Sequence, residues 1–210
     1  MNLIINLKLL KFALLLYQLD LKLFYIVNHF RNRVLDFILP YFSHPDFIYV
    51  FFVITGWLIL KKKNLWQSLL IWLFLVLGYL WVDFSCAKLL KPYFQKPRPF
   101  LAQEKVYYYT NQSYRYLNQP IKKESSYSFP SNHASNVSFA SVYLSLFYPP
   151  FVWGWTLFML LVGWSRIYLG HHYPSDVLFG FLWGGFWGWT FYLLVKTLLN
   201  KLLYGTKKTA

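Results

Sequence analysis

Residues 65–82 form a run of eighteen residues without a charge. As a helix the run reaches about 27 Å at ~1.5 Å per residue, close to the roughly 30 Å hydrocarbon core of a bilayer. Backbone crossing lipid has to satisfy its own N–H and C=O groups, so the run is expected to be helical and to continue to about Leu90. Further apolar blocks follow the same rule. Residues 47–60 are fourteen uncharged residues closed by Lys61, Lys62 and Lys63, and residues 132–148, 151–169 and 177–199 come later. With 57% hydrophobic residues, 13% charged residues and a mean hydropathy of +0.35, the chain is too apolar for an ordinary soluble domain. The expected fold is an all-α polytopic membrane protein of five spans plus an N-terminal span or interfacial helices.

Residues 1–34 read differently. Lys8, Lys11, Gln18, Lys22 and His29 fall in one sector of a helical wheel, as in an amphipathic helix. Two readings stand: helices lying in the interface, with a break at Leu19 and Asp20 capping the second, or a tilted first span. Residues 35–46, with Pro40 and Pro45, read as a turn region, and residues 100–129 as a polar, tyrosine-rich connection without helical periodicity. One membrane domain is expected over residues 1–210. Its parts are an N-terminal region (1–44), spans ending in a first polar motif (45–99), an outer loop (100–129) and the remaining helices (130–210).

The formal net charge is +14. The sequence holds no basic recognition helix, so nucleic acid is excluded as a partner, and anionic lipid in a bilayer takes its place. Lys61–Lys63, Lys196, Lys201, Lys207 and Lys208 fall on one side together with the turn at Pro149 and Pro150. The lysine bias makes that side cytoplasmic. Seven Lys/Arg in residues 91–130 run against the bias, and several of them are accounted for by the site described next.

Three polar stretches share the opposite face: residues 91–99 (KPYFQKPRP), 130–133 (PSNH) and 165–176 (SRIYLGHHYPSD). Ionisable groups at a membrane border suggest function. Lys91, Arg98 and Arg166 supply three fixed cations, and a guanidinium suits bidentate binding to phosphate. Ser131 and Asn132 precede an apolar helix, so their backbone N–H groups are candidates to bind an anion. Asp176 follows His172 by four residues, with Pro174 placed to start the last helix. A carboxylate hydrogen-bonded to one imidazole nitrogen leaves the other free to attack, which makes His172 the candidate nucleophile. His133 is the candidate acid for the leaving oxygen and base for the hydrolytic water.

Other residues carry blander readings. His171 is a neighbour, Lys96 a rim charge, Ser165 structural or a phosphate ligand, and Asp83 a support for Lys88 or an arginine. Tyr107, Tyr108 and Tyr109 fit an aromatic belt better than a lipid entrance. His133, His171, His172 and Asp176 could in number ligate zinc, but clustered lysine and arginine repel a cation, so neither metal nor cofactor is expected. A lipid-binding or transport protein would need the cations but not the two histidines. A phosphotransferase would share the first half-reaction.

Lys91-x6-Arg98-Pro99, Pro130-Ser131-Asn132-His133 and Ser165-Arg166-x5-His172-x3-Asp176 together resemble the three-part signature of the type 2 phosphatidic acid phosphatase (PAP2) superfamily. The resemblance covers roughly residues 45–200 and departs at Asn132, where the family usually has glycine. It implies a six-helix PAP2-type bundle, metal-independent hydrolysis of lipid phosphates, and the roles given above. The expected enzyme faces the periplasm from a bacterial inner membrane. Its anionic phospholipid or glycolipid substrate is expected to be lipid A 1-phosphate, with undecaprenyl diphosphate or phosphatidylglycerol phosphate as alternatives.

Overall fold

The computed structural model describes residues 2–44, 50, 54–56, 64–122 and 126–204. Most of the expected span at 47–60, the Lys61–Lys63 triplet, Lys207 and Lys208 lie outside the described residues. Helix α1 (Asn2–His29) is continuous through Leu19, since no glycine or proline interrupts it. Asp20 therefore starts no second helix here and sits in mid-helix. The stripe Lys8, Lys11, Gln18, Lys22 and His29 is exposed, while Phe24 and Asn28 are buried.

The expected turn after residue 34 is largely helix α2 (Arg33–Phe42). Asn32 caps it, its Oδ1 accepting from the Val34 N–H at 2.8 Å. Pro40 is accommodated near its end. A helical proline leaves the carbonyl four residues back without a donor, and the Tyr114 hydroxyl donates to that carbonyl, Asp36 O, at 3.2 Å.

Helix α3 (Leu65–Phe84) runs on through a π-helical stretch, Ser85–Leu90, into the turn Lys91–Phe94. Such widened turns often mark functional sites, and here the stretch leads directly to Lys91. Residues 100–129, read as a polar connection without helical periodicity, contain an antiparallel hairpin of β1 (Val106–Thr110) and β2 (Ser113–Leu117). Its turn residues Asn111 and Gln112 have φ of 50° and 59°, the left-handed pair that a tight two-residue hairpin requires. The described residues are thus mostly helical, with one two-stranded hairpin among them.

Helix α4 (Asn132–Phe147) is the centre of the bundle, buried on every side from Ala134 to Ser141. Helices α5 (Val152–Tyr168) and α6 (Pro174–Tyr204) flank it. The α4–α6 seam is made of small residues. A Cβ added at Gly180 would lie 2.9 Å from Ser131 O, one at Gly188 2.7 Å from Phe139 O, and one at Gly184 would collide with Ser135 O. Small residues at four-residue intervals let two backbones approach in lipid. Ile71, Leu75, Val82, Phe139, Tyr143 and Val195 fill the core beside this seam.

Among the described residues, the helical runs Leu65–Phe94 and Pro174–Leu202 are long and apolar enough to cross a membrane. Helices α4 and α5, with 16 and 17 residues, are shorter. The connectivity brings the end of α3, the start of α4, the end of α5 and the start of α6 to one end of the bundle.

Candidate active site

At that end lies a cavity of about 360 Å³ lined by Lys91, Arg98, Asn132, His133, Arg166 and His172, with Tyr79, Asp83, Asn136 and Val137 completing it. All three sequence stretches contribute. Arg166 is 7% exposed, and its Nε has no hydrogen-bond partner. Among the described residues, none of Lys91, Arg98 or Arg166 forms an ion pair with a carboxylate. Three unpaired cations around one buried cavity ask for an anion, because an uncompensated buried charge is costly.

His172 is 1% exposed. Its Nε2 lies 3.4 Å from Arg98 Nη1, and the same guanidinium is steadied by Ser126 Oγ at 2.9 Å and the His171 carbonyl at 3.3 Å. Burial, reinforced by Arg98 and Arg166, holds the His172 ring well below the usual histidine range. The ring is therefore neutral at pH 7, with a lone pair to offer.

The Asp176 contact is longer than expected. Its Oδ2 lies 3.6 Å from His172 Nδ1, which has no hydrogen-bond partner. That is contact without a hydrogen bond. Asp176 is held by other groups: Oδ2 accepts the Tyr173 N–H at 2.8 Å, and Oδ1 meets Lys96 Nζ at 2.8 Å. Lys96 is therefore not a rim charge. It also reaches Asp20 Oδ2 at 3.0 Å and Ser175 Oγ at 2.8 Å, and Asp20 Oδ1 accepts the Ser175 N–H at 2.8 Å. Asp20 and Lys96 are 76 residues apart, a pairing no local pattern in the sequence announces.

Other expectations shift as well. The Ser131 N–H is already bound to the Asp176 carbonyl at 3.1 Å and its hydroxyl caps α4, so Ser131 joins α4 to α6 and does not line the cavity. The N–H groups of Asn132 and His133, in the first turn of α4, have no intrahelical acceptor by position. Asp83 holds neither Lys88 nor an arginine. Its Oδ1 accepts from Asn132 Nδ2 and Asn136 Nδ2, each at 2.9 Å. His171 turns away from the cavity, its Nε2 at 3.1 Å from Tyr109 O and its ring against Tyr108 and Phe100. Ser165 donates to Val162 O at 2.8 Å and meets Ser43 Oγ at 2.5 Å, a packing role, while the Ser43 backbone hydrogen-bonds His133.

The hairpin closes over the loop that carries His171 and His172. Tyr109 N donates to Leu169 O at 3.1 Å. Gly170, at φ 77°, packs so close beneath Tyr107 O that no side chain fits. Buried Asn28 clasps three elements, donating to Tyr107 O at 2.8 Å and Tyr168 O at 3.0 Å and accepting from Tyr107 N at 2.9 Å. Two tyrosine-rich five-residue runs, V-Y-Y-Y-T and S-Y-R-Y-L, on either side of Asn-Gln are the sequence signal for this hairpin. Among the described residues no three His, Cys, Asp or Glu side chains converge as a metal site.

The PAP2 superfamily model matches residues 69–199, which spans the cavity and all three motifs. The chain belongs to the PAP2 superfamily. It is 28% identical over 180 residues to an undecaprenyl-diphosphatase of Sulfolobus acidocaldarius, covering 84% of this chain and 77% of that one. A lipid A 4'-phosphatase of Bacteroides thetaiotaomicron is 35% identical over 82 residues, 36% of this chain and 35% of the other. The crystal structure of Aquifex aeolicus LpxE superposes with a TM-score of 0.60 at 27% identity, covering 82% of this chain and 94% of that one. This PAP2 protein is a phosphoric ester hydrolase of membrane character.

Proposed function

We propose that the chain hydrolyses a lipid phosphate through a phosphohistidine on His172 Nε2, without metal. The supporting observation is the buried imidazole edge of His172 set among three cations that have no carboxylate partner among the described residues. On substrate entry Arg98 transfers its N–H groups from Nε2 to the phosphate, and Arg166 and Lys91 hold the remaining equatorial oxygens as phosphorus becomes five-coordinate. Nε2 forms the bond to phosphorus while the bond to the leaving oxygen breaks, and His133, which takes up a proton as the phosphate's charge offsets the cations around it, passes that proton to the leaving oxygen. His133 then takes a proton from water, which attacks phosphorus and frees His172 and inorganic phosphate. Asp176 stabilises the positive charge that develops on the ring. Its 3.6 Å approach to Nδ1 is short enough to close to a hydrogen bond when the phosphoryl group arrives, since catalytic hydrogen bonds are often long before substrate binds.

The site lies at the end of the bundle opposite the Pro149–Phe151 turn, Lys196 and Lys201. With the lysine bias this supports a site facing the periplasm of a bacterial inner membrane in a six-helix bundle. Lipid A 1-phosphate is the first substrate to test. Undecaprenyl diphosphate is the second, supported by the relative that carries that activity in its name. The experiment is phosphate release by detergent-purified protein in excess chelator, on lipid A, undecaprenyl diphosphate, phosphatidylglycerol phosphate and phosphatidic acid, beside His172→Ala. Release that requires His172 is expected. Activity that vanishes with chelator and returns with zinc overturns the mechanism.

A further inference from the structure

The cavity has two chemically different walls. Lys91, Arg98, Arg166 and His172 form the cationic one. The other is formed by Asp83, Asn132 and Asn136, and it offers oxygen acceptors. Both amide NH₂ groups point at Asp83 Oδ1, at 2.9 Å each, so amide geometry leaves each Oδ1 as an acceptor. These two oxygens are out of solvent and have no partner among the described residues, and Asn136 as a whole is only 6% exposed. A buried acceptor left without a donor is costly, so the wall favours any ligand that brings donors.

The position of this wall matters. Asn136 follows His133 by one helical turn on α4, so the two share a helix face, and Asn132 directly precedes His133. The leaving oxygen that His133 protonates therefore departs beside Asp83, Asn132 and Asn136. We infer that the enzyme selects phosphomonoesters whose alcohol carries a hydroxyl or amide N–H next to the ester carbon, as glycosyl and glycerol phosphates do. This inference rests on the roles proposed above for His172 and His133. A prenyl diphosphate presents the opposite chemistry. Its leaving group is a second phosphate, whose oxygens accept and carry charge, and a carboxylate with two amide oxygens repels it.

The test compares matched lipids within one protein sample, so that an inactive fraction cancels from the ratio. The probes are 1-O-hexadecyl-glycerol 3-phosphate, its 2-deoxy analogue, a diacylated glucosamine 1-phosphate and farnesyl diphosphate. The wild type is expected to show kcat/KM about tenfold or more higher for the hydroxyl-bearing glycerol lipid than for the deoxy analogue, the worth of roughly 1.4 kcal/mol. Farnesyl diphosphate is expected to fall below both. In Asn136→Ala and Asp83→Asn the ratio within the pair should move towards one. The glucosamine arm tells a sugar source of the donor from a glycerol one. A wild-type ratio near one, a preference for farnesyl diphosphate, or a ratio unmoved in both variants overturns the inference and leaves the phosphatase reading intact. If no lipid is turned over, the reading of the reaction falls, and thermal stabilisation by the same matched pair decides the wall: a larger shift with the hydroxyl supports it, and equal shifts overturn it.

Discussion

Lys96 Nζ stands 2.8 Å from Asp176 Oδ1 and fixes the carboxylate that touches the His172 ring. Through Asp20 at 3.0 Å the same ammonium fastens that carboxylate to α1. Asp176 is fully buried, and removing its cation leaves a buried charge without compensation. Lys96→Met should therefore lower kcat by about 10²-fold, the scale set by small misplacements near the reacting atoms, with KM changed far less. Lys96→Arg should recover part of the loss and Asp20→Asn should lie in between. A loss of expression equal in all three variants, with kcat per folded molecule unchanged, would mark Lys96 as structural only.

The two histidines predict separable defects. His172→Ala removes the atom that bonds to phosphorus and should abolish turnover, by at least about 10³-fold. His133→Ala removes proton transfer, which contributes about 10²–10⁴-fold. With a substrate whose leaving group needs no proton, such as p-nitrophenyl phosphate, His133→Ala should form the phosphoenzyme and hydrolyse it slowly. Acid-labile label from ³²P should then accumulate in His133→Ala and be missing from His172→Ala.

Much of this site could be read along the chain because each motif is local. Asp176 follows His172 by four positions and Arg98 follows Lys91 by seven, so short-range geometry delivers them together. What the sequence hides is long-range. Asp20 and Lys96 meet only because α1 crosses the start of α6, and Asp83 meets Asn132 and Asn136 only because α3 packs on α4. The hairpin was legible in principle, from two tyrosine-rich runs flanking Asn111-Gln112, but a polar composition masked it. The helix at residues 33–42 was obscured by Pro40, whose cost is offset by the Tyr114 hydroxyl from that same hairpin.

Stability should depend on pH in a defined window. His171 and His172 lie in the loop between α5 and α6, and burial is the first cause holding both rings well below the ordinary histidine value of 6.5. An unfolded chain binds these protons below about pH 6.5 while the folded one does not. Stability is therefore full above that pH and is lost as pH falls through the window, by up to about 1.4 kcal/mol per pH unit for each histidine. Thermal unfolding followed from pH 7.5 to 5 should show a falling Tm. His171→Gln should flatten the slope, and a slope unchanged in that variant would refute the assignment to His171.

The cationic wall predicts anion-linked stability. Phosphate or vanadate should raise the Tm of the wild type, as any ligand specific to the folded state does. Because a guanidinium can bind two oxygens in plane and an ammonium cannot, Arg166→Lys should retain only part of the shift and Arg166→Ala none. Arg166→Ala should also raise KM and lower kcat together. Removal of divalent cations with excess chelator should alter neither the anion shift nor the rate.

The α4–α6 seam ties packing to chemistry. Gly184 lies against the Ser135 carbonyl, one turn from where the Ser131 N–H meets the Asp176 carbonyl at 3.1 Å. A side chain at position 184 has to push the backbones apart, and neither a rotamer change nor a flexible neighbour can absorb the clash, because the opposing atom is a main-chain oxygen. Overpacking of this kind costs typically about 1–3 kcal/mol for a single added group, and a branched side chain adds more. Gly184→Val should therefore lower the yield of folded protein in detergent and the Tm. The folded fraction should lose kcat as well, since separating the helices moves His133 away from His172 and Asp176. By contrast Gly185→Ala, whose added Cβ would lie 3.6 Å from Ser138 Oγ, should be tolerated. Equal tolerance of both substitutions, measured by Tm and by phosphate release per folded molecule, would show that the seam does not set the distance between the catalytic groups.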